Sequence, residues 1–524
     1  NVGNAQPLLA ELPELLGDVG NVDILVLGGQ EAHYKVIDDA HLVETLKKKY
    51  GEHFREEKVH EDHGGGETSS TNSVHHHVHF YDIISAYCCN RGFKEVKTHS
   101  LGEMRLIVMA KERHIPRITH VETSHAACGI GHLLANKGGI IIKLAYQRHT
   151  LAFVASHLAA HLKDWERRNS DFVEIVTEAS VGNPHLNVLN EFDYVFWMGD
   201  LNYRIDLWTA VGKAQPKEKG ETHEQHWAEV KDLADKKQWV ALMQGDQLKR
   251  EQAKGEIFQG FHEPDYNFLP TFKVKRWTGT THLAQRSPAY CDRILWRMQP
   301  YLEKYRPVTV REFVAVENVS TSDHKPVRGR FDVKLLAKPN FHQINADRRV
   351  ARITLTGVKG TSLVASDVTG SSDPYLAFNM MPEGALVLPK GQSYLHTRRK
   401  TTQTLDPVFE DHDVPTVLTR CTTLKELKET CLILSFWDYD PVQPDDPLGD
   451  AIVCFESVME RVGIDASDNE TAGFAFHINE ALNLCGKKLE KSKLSATVTV
   501  DWVEQREAQQ GAGAVESGGC CAIV

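Results

Sequence analysis

Five separated segments of this 524-residue chain carry the residue types that phosphoryl chemistry uses. Gln30-Glu31 follow ILVLGG, and Ser156-His157 follow LAFVA. Asp200 and Asn202 sit in WMGDLNYR, Asp292 and Arg293 in PAYCDRILW, and Asp323-His324 in SDHKPV. A carboxylate such as Glu31 is a hard oxygen ligand, suited to a magnesium ion that keeps most of its shell for water and phosphate. An acid and an amide two residues apart, Asp200 and Asn202, can orient an attacking water and stabilise a phosphate oxygen. A histidine can hold a scissile phosphate while a second carboxylate fixes its tautomer. Phosphoryl transfer is mostly positioning and charge neutralisation, so a cation with His, Asn, Lys and Arg donors is a sufficient set. Singly, a strand-end Asp is an ordinary turn or cap residue and a lone His is ordinary structure. Only the set together argues for a site.

Strands must deliver these residues. Ile24–Leu27, Leu106–Met109, Ile140–Ile142, Leu151–Val154 and Tyr194–Trp197 read as buried strands. Stretches 42–50, 165–178 and 224–236 read as amphipathic helices. Strands and helices interleaved over that length predict a layered α/β domain, with site residues just beyond the strand ends. Residues 61–73 form a Gly/Ser/Thr loop followed by His75, His76, His77 and His79, read as an exposed cluster without fixed metal geometry.

Composition bounds the function. Hydrophobic residues at 41% and charged residues at 25% describe a globular chain, long enough for two to four domains. A net charge of −11 argues against a general nucleic-acid binder, which needs a basic surface. The ten cysteines show no zinc spacing, and most are expected as reduced thiols. No apolar run approaches the roughly 20 residues of a spanning helix. The chain opens on Asn1, within what reads as a motif, so residues upstream are expected.

The five segments, in this order, resemble the inositol polyphosphate 5-phosphatase family of the endonuclease/exonuclease/phosphatase fold. The paired signatures W-x-G-D-x-N-x-R and P-A-[WY]-C-D-R-[IVL]-L appear as Trp197–Arg204 and Pro288–Leu295. NVGN at the start, LANKGG (134–139), SHLAAH (156–161), RRN (167–169), DQLKRE (246–251), FLPTFK (268–273) and SDHKP (322–326) complete the series, so the resemblance covers 1–335. It implies a four-layer α-β-β-α sandwich that removes the 5-phosphate of phosphoinositide lipids or inositol polyphosphates with Mg2+. It further implies that Asn1 and Glu31 hold magnesium, and that Asp200 activates the water with Asn202 beside the phosphate. His324 would contact the scissile phosphate, oriented by Asp292; His157, Lys137, Lys273, Arg293 and Arg286 would line the substrate site. Three departures bear on specificity. Phe272 replaces a tyrosine and loses a hydroxyl, Ala284 replaces a lysine thought to grip the neighbouring 4-phosphate, and Ala155 replaces an asparagine. Lys275 or Arg276 would substitute for the lost lysine.

After a linker at 336–349 the texture becomes β-rich, with Asp/Pro/Gly turns that favour an all-β sandwich. SSDPYLAF, TLDPVFED, WDYD and DPLGDA resemble a C2 domain over 350–503, which implies that Asp367, Asp373, Asp438, Asp440 and Asp446 bind Ca2+. Arg398, Arg399 and Lys400 would offer an additional basic strand to an anionic membrane surface. A polar tail, 504–524, ends in Cys521-Ala522-Ile523-Val524, which fits the C-a-a-X prenylation pattern; Cys520 is the palmitoylation candidate. Together these readings predict a cytoplasmic enzyme held peripherally on the cytosolic face of a membrane. Protein partners are not legible. Two rivals remain: another phosphodiesterase of the same fold, and a calcium/phospholipid scaffold without catalysis.

Overall fold

The computed structural model describes residues 1–4, 9–32, 44, 47–48, 51, 57–60, 74–77, 80–129, 136–336, 341, 348–366, 370–398, 403–442, 444–466 and 473–504. The Gly/Ser/Thr loop at 61–73, Asp367, Arg399, Lys400, Cys520 and Cys521 lie outside the described residues. The chain divides into two units: Asn1–Gly182, Tyr194–Arg297 and Val308–Val333 form the first, and Asn183–Asp193, Met298–Pro307 and Lys334–Val524 the second.

In the first unit, β1 (Ile24–Gly29), β2 (Phe93–Leu101) and β3 (Met104–Lys111) make one sheet in the order β1-β3-β2. A second sheet runs β8-β9-β7-β6-β5-β4, built from β4 (Ile118–Ala127), β5 (Gly138–Tyr146), β6 (His149–His157), β7 (Tyr194–Asp200), β8 (Phe261–His262) and β9 (Asp292–Met298), and β10 (Val308–Ala315) and β11 (Val327–Val333) form an antiparallel pair. The sheets pack closely: a Cβ added at Gly28 on β1 would lie 3.0 Å from Ala155 Cβ on β6. Helix α1 (Phe80–Cys89) covers the first sheet, burying Ile83, Ile84 and Tyr87 with Ile107 and Met109 of β3. Helix α2 (Trp165–Glu178) covers the second, where Phe172 meets Trp197 at a ring-centroid distance of 5.0 Å. That is the expected α-β-β-α order. With cover on both faces, β5 and β6 are apolar along nearly their whole length rather than alternating.

One strand pair sets the register of the site. β6 and β7 are parallel neighbours, and the pairing ends with His157 opposite Asp200. Both therefore emerge at the carboxyl ends of adjacent parallel strands, where α/β sheets present their ligands. Gly199 makes the turn possible. Its φ is +134°, and a Cβ there would fall 2.1 Å from the Ser156 carbonyl oxygen. Only glycine fits between Trp197, packed inward, and Asp200, at the site.

The second unit holds one nine-stranded sheet. Its strands are β12 (Arg349–Thr361), β13 (Pro374–Met381), β14 (Leu386–Val387), β15 (Leu395–His396), β16 (Val417–Thr419), β17 (Cys431–Asp438), β18 (Asp446–Cys454), β19 (Phe474–Leu484) and β20 (Lys487–Glu504). They pair in the order β14-β16-β12-β20-β19-β18-β17-β13-β15, antiparallel at each pairing, around one core that includes Ile353, Phe378, Phe436 and Val498. The short segments before 335 that belong to this unit are held by polar contacts: Asn183 Nδ2 donates to Asn379 Oδ1 at 2.9 Å, Asn187 Nδ2 to Asp450 at 3.3 Å, and Tyr305 OH to Glu429 at 2.7 Å. A single cut at 335 does not capture these segments, because isolated polar side chains carry the contacts and leave no periodic signature. Cys431 and Cys454, opposite one another on β17 and β18, form a disulfide, while Cys88, Cys89, Cys128, Cys291, Cys421 and Cys485 are not disulfide-bonded.

Candidate active site

Asp200, Asp292, His324, His157 and Lys137 converge at the strand ends of the second sheet. His324 Nδ1 lies 2.9 Å from Asp292 Oδ2, which also accepts from Thr271 Oγ1 at 2.7 Å. That bond fixes the ring and leaves Nε2 facing Asp200 Oδ2 at 3.9 Å. Asp292 reaches this edge because Leu201 N donates to Cys291 O at 2.8 Å, stitching the start of β9 to the end of β7. On the other flank, His157 Nε2 lies 3.5 Å from Asp200 Oδ2 and accepts a short hydrogen bond from Lys137 Nζ. Asp200 Oδ1 accepts from Asn202 N at 3.1 Å, and Oδ2 from Asn1 Nδ2 at 2.9 Å. Ligand atoms of Asp200, Asp292 and His324 lie within 4.8 Å of one another, close enough to share a cation.

The electrostatics follow from burial and this arrangement. Burial would raise the Asp200 carboxyl, but His324, His157 and Lys137 hold it far below the usual carboxylate range. Asp292 is also lowered, its burial outweighed chiefly by His324. His324 is raised: burial works against its charge, and Asp292 and Asp200 overcome that. His157 goes the other way. Burial, then the Lys137 ammonium, push its ring down to about 3. His157 is therefore a neutral acceptor that holds Lys137, whereas His324 keeps its proton to higher pH than an ordinary imidazole.

His157 gives a pH prediction. Its folded value lies below the unfolded value, so between the two the unfolded chain binds a proton that the folded chain does not. Stability conferred by this residue is present above about pH 6.5 and lost as pH falls, at roughly 1.4 kcal/mol per pH unit down to about 3. Urea midpoints measured from pH 7 to 4 should fall less steeply in His157→Gln than in the parent. Parallel profiles would contradict the assignment.

A cavity of about 620 Å³ opens beside these groups. Its lining includes Glu31, Arg204, Phe272, Lys273, Asp323 and His324 together with His161, Glu218, Lys219, His223, Ala284 and Arg286. The volume lies within the roughly 300–1,000 Å³ of small-molecule sites. Of the sequence-predicted residues, Glu31, Lys273, Arg286 and His324 line this cavity directly. Asn202 is beside Asp200, but its amide is spent internally: Nδ2 donates to Leu158 O at 3.1 Å and Oδ1 accepts from Arg204. Arg204, the last position of the W-x-G-D-x-N-x-R signature, also lines the cavity, its guanidinium donating to the Asn202 carbonyl and Oδ1. Arg168 of the RRN segment is fully buried, and donates to the carbonyls of Ala159 at 3.0 Å and His161 at 2.6 Å, shaping the loop that follows His157.

Arg293 is a correction. It does not line the cavity; it is buried between Asp246 at 2.9 Å and Glu263 at 2.7 Å. Successive side chains on a strand point to opposite faces, so if Asp292 faces the site its neighbour cannot. Lys275 and Arg276 are a second correction, because neither lines the cavity. Arg276 is committed to Asp323 Oδ1 at 3.1 Å and to the Gly3 carbonyl.

In the second unit, Asp438 lies opposite Asp446 across β17 and β18, and its carboxylate accepts from Asp373 N. Asp446 Oδ2 accepts from Ser366 Oγ at 2.7 Å, and Asp440 N donates to Asp445 Oδ1 at 3.1 Å. These acids share one end of the sheet, but among the described residues no three of them bring ligand atoms within 4.8 Å.

Residues 1–330 match the Endonuclease/Exonuclease/phosphatase family 2. The chain belongs to that family. Residues 351–469 match the C2 domain. Among curated relatives, the chain is 31% identical over 252 residues to phosphatidylinositol 3,4,5-trisphosphate 5-phosphatase 1 of Homo sapiens, covering 46% of this chain and 20% of that protein. It is 34% identical over 248 residues to type II inositol 1,4,5-trisphosphate 5-phosphatase of Mus musculus, covering 46% and 22%. The matches thus span about a fifth of these relatives' lengths. A solved inositol polyphosphate 5-phosphatase domain of synaptojanin, in complex with inositol (1,4)-bisphosphate and calcium ion, is 22% identical with a TM-score of 0.45, covering 64% of this chain and 83% of that one. No helix among the described residues is long and apolar enough to cross a membrane.

Proposed function

We propose that the first unit hydrolyses the 5-phosphate of phosphoinositides, such as phosphatidylinositol 4,5-bisphosphate, or of inositol polyphosphates, in a magnesium-dependent reaction. The observation that carries this reading is the Asp292–His324–Asp200 line, which sets an imidazole that lines the cavity between two carboxylates. The named activities of the relatives supply the substrate class.

His324, anchored through Nδ1, would donate from Nε2 to an oxygen of the scissile phosphate. Asp200, ionised and fixed by Asn202 N and Asn1 Nδ2, would orient the water and accept its proton as the new P–O bond forms. The bond from phosphorus to the inositol oxygen breaks, and that oxygen takes the proton Asp200 accepted from the water, giving inorganic phosphate and an alcohol. Arg204 and Lys273 would neutralise the phosphoryl charge from the cavity wall. The donor set fits a small divalent cation: the carboxylate of Glu31 faces the cavity, and the amide of Asn1 adjoins Asp200, so these two residues would hold it. When bound, magnesium would supply charge neutralisation at the transferring phosphate. We further propose that the C2 unit, with calcium at its acidic loops, and lipidation at Cys521 and Cys520 place this chemistry on the cytosolic face of a membrane.

The test is phosphate release from a panel of inositol lipids and soluble inositol phosphates, with magnesium or with chelator. Magnesium-dependent release confined to 5-phosphorylated members is the expected result. No release from any member, with calcium-dependent vesicle binding intact, would leave only the scaffold reading.

A further inference from the structure

The loop that presents His324 is gripped by a carboxylate that the proposed chemistry does not use. Residues 316–326 connect β10 to β11 and lie beyond their ladder, which ends at Ala315 and Val327. Glu11, 8% exposed, closes a short helical turn, Leu9–Glu11, on the segment that begins with Asn1. Its Oε1 accepts from Ser320 N at 2.7 Å and from Ser320 Oγ at 3.2 Å, and its Oε2 accepts from Thr321 Oγ1. A carboxylate whose two oxygens serve consecutive residues fixes a direction as well as a position, which a single acceptor does not. Ser320 is held on its other side too, where its carbonyl accepts from Trp277 N at 2.8 Å. Ser322 Oγ then donates to the Asn1 carbonyl at 2.9 Å and accepts from His324 N at 3.1 Å. Lys325, 2% exposed, secures the loop from within. Its Nζ donates to the carbonyls of Glu317 and Val319, both at 2.8 Å, and its backbone N to Thr271 O at 2.9 Å. All these ties converge on the placement of one imidazole. A slack loop would shift His324 against Asp292 and Asp200, and a reacting group tolerates displacements of only about half an ångström.

We propose that Glu11 is a positioning residue for His324. By clamping Ser320 and Thr321 it sets the imidazole against Asp292, and it braces the segment carrying Asn1 to the segment carrying His324. This rests on the proposed reaction for the work His324 does, so placement and turnover are measured separately. Glu11→Ala, in the whole chain, should lower kcat about ten- to a hundredfold with KM within about threefold of the parent, as when a reacting group is displaced without leaving the site. Glu11→Gln keeps an acceptor for Ser320 and offers a donor to Thr321 Oγ1, so it should recover most of the rate. Thr321→Val is nearly isosteric and removes one of the three donors; it should give a smaller fall of the same kind. If Glu11→Ala does not fold, this variant carries both measurements. The second measurement is amide hydrogen exchange read by mass spectrometry. Peptides spanning 317–325 should exchange faster in the variant, while those of β6 and β7 keep the parent's protection. Exchange that rises equally in β6 and β7 would make Glu11 an ordinary prop of the fold and overturn the assignment. So would a kcat within twofold of the parent, or a lowered kcat with unchanged exchange at 317–325. Should the parent release no phosphate from any inositol probe, the reaction reading fails. Faster exchange confined to 317–325 then leaves the clamp standing, and exchange spread over the first unit removes it.

Discussion

Asp200→Asn is expected to lower kcat about a thousandfold while KM moves only a few-fold, the size of effect seen when a positioned acid–base group is lost. The amide is nearly isosteric, so the packing around β7 should survive. What disappears is the negative charge that faces His324 Nε2 across 3.9 Å and His157 Nε2 across 3.5 Å. This has a second signature. His324 is raised chiefly by Asp292 and Asp200 against its burial, so its protonated form persists above the ordinary imidazole range and is lost as pH rises through the raised value. Activity that needs the imidazolium should fall on that alkaline limb. In Asp200→Asn the support from Asp200 is gone, and the limb of the residual activity should move to lower pH. A loss of less than tenfold, or an unmoved limb, would remove Asp200 from the chemistry.

Arg293→Met should produce the opposite pattern: a loss of about 3–5 kcal/mol in stability, the cost of leaving buried charges without their partner. The guanidinium spans Asp246 and Glu263, with side chains of all three fully inaccessible, and against burial it holds the Glu263 carboxyl down to about 2. Asp246 also caps the helix at 247–253 through Lys249 N, so the damage would spread along that segment. Lysine cannot replace the planar fork that serves two carboxylates at once, and Arg293→Lys should recover only part of the loss. Urea unfolding supplies the measurement, beside kcat on the folded fraction at low temperature. A normal urea midpoint with a collapsed kcat would return Arg293 to the substrate site.

These two residues, 93 positions apart, show what the sequence makes legible. Glu31, Asp200, Asp292 and His324 were readable because each sits beside a strand-like run within an ordered series of motifs, and strands of a layered sheet end along common edges. Arg293 was misassigned because a motif records adjacency, whereas a strand sends adjacent side chains to opposite faces. Arg204 lay inside a recognised signature, yet its role depends on the left-handed backbone of Asn202 (φ +56°), which turns the Asn202 amide toward Leu158 O and Arg204. Lys219, which also lines the cavity, carried no local signal: its neighbours Glu218 and His223 are fixed by contacts with Leu162, His161 and Ala284, all distant in sequence. In the C2 unit, alternating apolar residues announced strands such as β20, while the handful of asparagine contacts that draw 183–193 into that unit had no period to read.

The hydrogen bond from Ser322 Oγ to the Asn1 carbonyl, at 2.9 Å, joins residues 321 positions apart, and Asn1 in turn touches Asp200. The proposed active site is thus assembled by closed long-range loops. Non-local closure is slow, so in refolding from urea the regain of secondary structure should run ahead of the regain of turnover. Enzyme activity would then serve as a clock for the last docking steps of the first unit, a signal that circular dichroism, dominated by strands and helices already formed, would not register.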